Sequence, residues 1–169
     1  MRQLQKTFLA GMLLLTSACA MFQPVALNPG ETEAEVITKL GRPSFRMPDG
    51  NGFILEYNRN PWGQAINMAR FDSAGRLITY EQVLTVEKFA TIKPGVADKS
   101  YVLRTIGHPS ETSWLSRQEL EVWTYPYKEQ GVWNSLMHVH FDKNGVVKKL
   151  ENGQDLRFDR DGKFGFFGR

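Results

Sequence analysis

Three histidines, His108, His138 and His140, are the residues whose chemistry is most easily tested against their spacing. His138 and His140 stand two apart in a segment with strand-like composition, so both project from one face, as a pair of metal ligands would. No third ligand accompanies them, and Lys143 and Lys148 place positive charge nearby. The pair therefore reads as the polar face of a sheet, and no metal is assigned. Glu119 and Glu121 also share a strand face, without an acid or base to work with. The chain has no G-x-S-x-G, G-x-x-x-x-G-K, H-E-x-x-H or C-x-x-C, and Asp49-Gly50-Asn51-Gly52 is a turn signal. No catalytic residue or cofactor is assigned, and a non-enzymatic protein is expected.

One residue does carry a chemical expectation. Cys19 is the sole cysteine, which excludes an intramolecular disulfide. Arg2 and Lys6 form a basic start, residues 8–15 are a short apolar run, and Leu15-Thr16-Ser17-Ala18 precedes Cys19. The run is far shorter than the ~20 apolar residues that span a bilayer, so residues 1–18 read as a signal peptide. L-T-S-A-C resembles a bacterial lipobox, whose cysteine receives diacylglycerol and becomes the new N-terminus. The resemblance implies lipidation at Cys19. Ala20, in place of aspartate, implies the outer membrane, with the protein facing the periplasm. Without Arg2 and Lys6 the chain has 19 basic and 18 acidic residues, so the pI near 9.0 reflects a small imbalance. No basic stripe suited to nucleic acid is present.

The elements that would carry any site come in two copies. Residues 29–44 and 94–110 each open on Pro-Gly, continue with an amphipathic run and close on Gly-x-Pro-Ser; Gly41 and Gly107 are 66 residues apart. Each phrase predicts a short helix. Thr32 and Glu35 form a capping-box pattern in the first, and Asp98 caps the second. Gly41 and Gly107 end the two runs. Strands are expected at 53–57, 65–71 and 76–83 in the first copy, and at 120–125, 136–141 and 146–150 in the second. Residues 42–51 read as a loop. Phe71-Asp72-Ser73-Ala74-Gly75 and Phe141-Asp142-Lys143-Asn144-Gly145 predict matching hairpins with a bulge. Residues 84–93, with Val86, Phe89 and Ile92 at intervals of three, read as a packed connection. The expected organisation is a tether at 19–28, modules at 29–92 and 93–152, and a C-terminal tail at 153–169, read as loosely ordered although Phe158-Asp159-Arg160-Asp161-Gly162 repeats the hairpin signal. The expected fold class is α+β: two tandem modules, each a short helical segment or pair packed on a three-stranded antiparallel sheet.

P-G-x-T-x-x-E-V-x-x-x-L-G-x-P at residues 29–43, an aromatic strand and F-D-x-x-G-x-[LV] together resemble the SmpA/OmlA (BamE-like) family of outer-membrane lipoproteins. The resemblance repeats over residues 94–150. It implies helical segments on a three-stranded sheet and a role in outer-membrane assembly, with subunits of the β-barrel assembly machine as partners. Tandem modules also resemble β-lactamase inhibitor protein, whose concave sheet grips another protein, so recognition of a different envelope partner is the second expectation. Trp62 and Trp133 occupy corresponding loops between first and second strands. They are the candidate binding residues, as contact surface or as lids over small cores. Trp123 falls in a strand pattern and is assigned to the core; Trp114 fits either setting. Lipidation makes a direct test available. Cys19→Ser should abolish acylation and release or mis-process the protein; normal maturation and membrane fractionation of that variant would refute the lipobox.

Overall fold

The computed structural model describes residues 25–58 and 63–158. The first Pro-Gly phrase leads into α1 (Glu33–Leu40). The Thr32 side chain accepts from the Glu35 N–H, and the Thr32 N–H donates to Glu35 Oε2 at 2.7 Å, so two helix-start donors are satisfied reciprocally. The second phrase leads into α3 (Lys99–Ile106), where Asp98 Oδ1 accepts from the Tyr101 N–H at 2.6 Å and no acid answers from Tyr101. Both helices end at a glycine with positive φ, Gly41 and Gly107. A third helix, α2 (Val86–Thr91), lies in the connection between the copies.

The sheets differ from expectation. Each copy forms a four-stranded antiparallel sheet, and strand outweighs helix, so the three-stranded α+β modules expected from sequence are corrected. Sheet one runs in the order β1 (Phe45–Asp49), β2 (Gly52–Tyr57), β3 (Asn67–Phe71), β4 (Leu77–Gln82). Sheet two runs β5 (Glu111–Leu115), β6 (Leu120–Glu129), β7 (Trp133–Phe141), β8 (Val147–Gln154). A 3₁₀ turn, Leu156–Phe158, follows. The added strands are β1 and β5, both at sheet edges. Pro48 concealed β1. The Ser44 N–H donates to the Glu56 carbonyl, which turns Glu56 toward β1 and Phe53, three residues earlier and out of phase with it, away. Pro48 opposes Phe53, so the proline nitrogen points off the open edge, where no ladder bond is lost. Pro126 lies within β6 for a related reason. It shares the phase of Thr124, which faces β5, but β5 pairing ends at Thr124.

The two Asp-x-x-Gly hairpins form alike. Asp72 Oδ1 accepts from the N–H groups of Ala74 and Arg76, both at 2.9 Å. Asp142 Oδ1 accepts from those of Asn144 and Val146, at 2.9 and 3.0 Å. Register shifts follow at Arg70/Phe71 and His140/Phe141. The Pro-Gly phrases then close the sheets: Gly30 and Glu31 bond Leu77 of β4, while Gly95 and Ala97 bond Val147 of β8.

α1 covers one face of sheet one, with Val36 against Leu55, Tyr57, Ala69, Phe71 and Leu77. The opposite face presents Ile54, Ile66 and Met68 to a second, larger core. That core takes Phe89 and Ile92 from the connection, Val102 and Ile106 from α3, and Trp123, Tyr125, Tyr127, Met137, Val139 and Phe141 from sheet two. The layers are therefore α1, sheet one, α2 and α3, sheet two. Of the connector's apolar triad, Phe89 and Ile92 are buried and Val86 is exposed. Each fully buried large side chain contributes about 1.5–3 kcal/mol.

One polar group interrupts this core. Glu56, in phase with Ile54, is fully buried between sheet one and the end of α3. Both of its carboxyl oxygens accept from the His108 N–H at 3.2 Å, and Oε2 lies 2.8 Å from His108 Nδ1. The His108 ring stacks on Phe45 of β1 at 3.7 Å between centroids. Tyr125 donates to the Gly107 carbonyl at 3.0 Å. A Cβ at Gly107 would stand 3.0 Å from Glu56 Cδ and from Ile66 Cγ2. Glycine is thus needed twice there, for φ +84° and for the close approach.

Gly75 and Gly145 have φ +70° and +75°, and a Cβ at Gly75 would meet no atom within 4 Å. A β-branched residue there meets conformational strain of about 1–2 kcal/mol even where space is free. Gly75→Val and Gly145→Val should each lower the thermal midpoint, measured by circular dichroism; two unchanged midpoints would contradict the shared hairpin geometry.

Candidate binding surface

The candidate surface lies at the far end of sheet two. β6 and β7 run past the rest of the sheet and turn through Gln130 and Gly131, with φ +51° and +74°. Trp133 is the first residue of β7, opposite Glu129, where the sequence predicted a loop. Val132 and Trp133 are 66% and 67% exposed, so the Trp133 ring does not lid the core.

The hairpin tip borders an open cleft of about 730 Å³, lined among others by Glu129, Trp133, Asn152, Gln154 and Phe158. Its polar wall is internally bonded. Glu129 Oε2 accepts from Ser135 Oγ at 2.8 Å and Asn152 Nδ2 at 3.0 Å. The Asn152 amide and then the Ser135 hydroxyl hold the Glu129 carboxyl below the usual carboxylate range. Tyr127 donates to Asn152 Oδ1 at 3.1 Å, and burial pushes its phenol up to about 12. Below the tip, buried Asp155 accepts from Arg157 Nε and Nη2 at 2.9 and 2.6 Å, and its N–H donates to the Asn134 carbonyl. Arg157 holds the Asp155 carboxyl below its usual range. These contacts hold residues 155–158 of the stretch expected from residue 153 as a loosely ordered tail; the rest of that tail, 159–169, lies outside the described residues.

Trp62 and Cys19 lie outside the described residues. The chain following Trp62 nevertheless reaches the same end of sheet two. Gln64 is buried and donates to Asn134 Oδ1 at 2.8 Å, beside Trp133. Gly63 lies against Ser110 and Pro126. Sequence reasoning singled out Trp133 and missed Glu129, Asn152 and Asp155, which are ordinary polar residues until the β6–β8 register brings them together. The available signal was the Phe158 hairpin echo, which marked the segment but not its contacts.

The other residues considered for chemistry are dispersed. Trp123 is in the core, and its Nε1 donates to Glu121 Oε1 at 2.7 Å. Lys99 and then Trp123 hold the Glu121 carboxyl below its usual range. Glu119 sits in the turn before β6, with φ +53°. His138 Nδ1 lies 3.0 Å from Thr124 Oγ1. His140 is buried, and its Nε2 stands 2.8 Å from Glu151 Oε2 but off the line of a hydrogen bond. Among the described residues no group of three His, Cys, Asp or Glu could hold a metal ion, and no helix is long and apolar enough to cross a membrane.

His140 provides a pH test. Burial is the first cause that holds its imidazole below the ordinary value of 6.5; Lys149 and His138 act in the same direction, and Glu151 opposes them. The unfolded chain takes the proton first as pH falls, so stability present above about 6.5 is lost below it. The lowered carboxylates act only further into acid. The thermal midpoint should fall between pH 7 and pH 5, and His140→Gln should flatten that slope. A midpoint independent of pH over this range in the unmodified chain would refute a buried neutral His140.

No protein-family model matches the chain, and no curated protein matches it. Among solved structures, a crystal structure of a DUF4309 family protein (YjgB) from Bacillus subtilis is similar over 79% of this chain and 84% of that one. The identity is 13% and the TM-score 0.33, a likeness too distant to carry a functional argument.

Proposed function

We propose that the chain is a lipid-anchored outer-membrane protein whose periplasm-facing part binds another protein and scaffolds envelope assembly. The observation that carries the binding reading is the exposed Val132–Trp133 tip above a cleft with a bonded polar wall. A tryptophan displayed on a rigid hairpin offers large contact area at low entropic cost, and such residues are frequent centres of interface energy. The anchor reading rests on the lipobox-like run at Cys19. Five residues separate Cys19 from Val25, the first described residue, and an extended stretch of that length reaches about 20 Å. Leu27 then packs on the core beneath α1, and Lys39 Nζ donates to the Ala26 carbonyl. The end of the tether is thereby fixed to the first module.

Two measurements test the proposal. Mild crosslinking of the full-length protein in its envelope should yield one dominant partner. Subunits of the β-barrel assembly machine would support the assembly role, and any other dominant envelope protein would replace it with recognition of that partner. Trp133→Ala should leave the thermal midpoint nearly unchanged, because exposed substitutions cost within about 0.5 kcal/mol, while weakening capture by about 2 kcal/mol or more. Normal capture by Trp133→Ala would remove this surface from the proposal.

A further inference from the structure

Four strands stand at sheet edges: β1, β4, β5 and β8. All but β5 are obstructed over at least part of their length, β4 at its start and by the charge of Glu81. The Pro-Gly phrases bond the starts of β4 and β8, at Leu77 and Val147. Lys148, Lys149 and Glu151 place charge along β8. In β1, the Pro48 nitrogen faces the open edge. Proline and charge are ordinary means of preventing edge pairing.

β5 has neither a proline nor a lysine, and all five of its residues are exposed. The Ser110 N–H donates to the Thr124 carbonyl at 3.0 Å, which turns Thr124 toward β5. The pairs Glu111–Thr124, Ser113–Val122 and Leu115–Leu120 therefore carry the β5–β6 ladder. Thr112 and Trp114 turn their N–H and C=O groups to the open edge, where no strand pairs with them among the described residues. Trp114 is 54% exposed and borders a hollow of about 380 Å³ with Thr112, Ser113 and Glu121.

The duplication sharpens this contrast. Ser44 bonds Glu56 as Ser110 bonds Thr124, so Trp114 is the counterpart of Pro48. One lattice position carries a blocked nitrogen in sheet one and an available N–H beside an indole in sheet two.

We propose that β5 is a strand-addition site that takes an extended segment of a partner protein. The segment pairs through the backbone of Thr112 and Trp114 and sets a β-branched or aliphatic side chain against the indole. The middle of β5 is uncharged, and the occupant is uncharged there as well; Glu111 suits a basic residue at one end. A peptide fits better than a second copy. Five residues span about 17 Å, and a stable dimer needs roughly 1,200–2,000 Å² of buried surface, whereas an added strand draws its affinity from main-chain bonds. The site is separate from the Trp133 cleft. Trp114 opposes Glu121 and Trp133 opposes Glu129, eight positions apart along β6, or about 27 Å. It stands whether or not that cleft binds.

The test uses the full chain in detergent and the peptide acetyl-Lys-Thr-Val-Thr-Val-Thr-Lys-amide, with a control whose central threonine is proline. Hydrogen exchange at the Thr112 and Trp114 amides should slow at least tenfold with the peptide and not with the control. The Ser113 amide, already turned to β6, should not change. Trp114→Pro removes the outward donor and keeps the β5–β6 ladder, as Pro48 does in sheet one. Its thermal midpoint should stay within about 2 °C, a shift of no more than about 1 kcal/mol for a chain of this size, and its affinity for the peptide should fall at least tenfold. Thr112→Pro provides the same test should Trp114→Pro not fold. Unchanged exchange with the peptide would overturn the proposal. So would protection without it, since a second copy, seen as concentration dependence, or the chain's own residues 159–169 would then hold the edge.

Discussion

A carboxyl group out of reach of water must find its partners inside the protein, and Glu56 finds them on the other module. Its place in β2 is set by the alternation that also buries Ile54. Its partners are the His108 N–H and ring, which follow α3 and belong to the second copy. Leaving such buried groups unpaired costs about 1–3 kcal/mol each, a large share of the 5–15 kcal/mol that a domain retains. The second module must therefore dock with Gly107 and His108 against β2, and it can dock in few other ways. Gly107 admits the approach because it has no Cβ, and Tyr125 holds its carbonyl from sheet two. Arg70 adds a second tie, donating to the Arg104 carbonyl of α3 at 2.5 Å, while Asp49 of its own sheet steadies the guanidinium at 2.7 Å. Apolar burial supplies most of the attraction between the modules, while these directional bonds select one arrangement.

The duplication explains the architecture, and its departures explain the specificity. The position of Glu56 in sheet one is held by Thr124 in sheet two, which meets His138 in place of a helix end. The reciprocal cap of Thr32 and Glu35 becomes a one-sided cap at Asp98. α1 covers only its own sheet, whereas α3 is shared between two. Sheet one is consequently an inner layer, and the last four residues of β2 are all buried. Sheet two is the outer layer, with one face in the shared core and its ends and β5 edge open. Both exposed tryptophans among the described residues, Trp114 and Trp133, fall on that outer sheet.

Much of this was legible in the residues. The helix bounds, caps and hairpins follow from Thr, Asp, Gly and Pro at fixed positions, because local hydrogen bonds and φ preferences dictate them. β1 and β5 were not legible. Both are edge strands, so neither alternates between core and solvent, and Pro48 argues against a strand unless its nitrogen is known to face outward. The ends of β6 and β7 were hidden for a similar reason: Pro126 reads as a stop, yet it falls just where β5 no longer needs a donor. Glu56 read as one polar residue in F-I-L-E-Y, since nothing local announces that a helix end from the other copy will meet it. The cleft at Trp133 was half visible, because the indole can be noticed in a sequence and the cross-strand bonds of Glu129, Asn152 and Ser135 cannot.

A shared core also constrains how the surfaces work. Because the modules lock through Glu56 and a continuous apolar layer, the tether fixed at Leu27 and the outer sheet are parts of one body. A membrane anchor at the N-terminus would then do more than retain the protein near a bilayer. It would hold the Trp133 cleft and the β5 edge within a restricted range of heights and orientations, limited by the few residues between Cys19 and Val25. Independent modules on a flexible linker would sample many arrangements and lose entropy on every two-point contact. A rigid pair has paid that cost in folding, which suits a scaffold whose task is to place one partner relative to another.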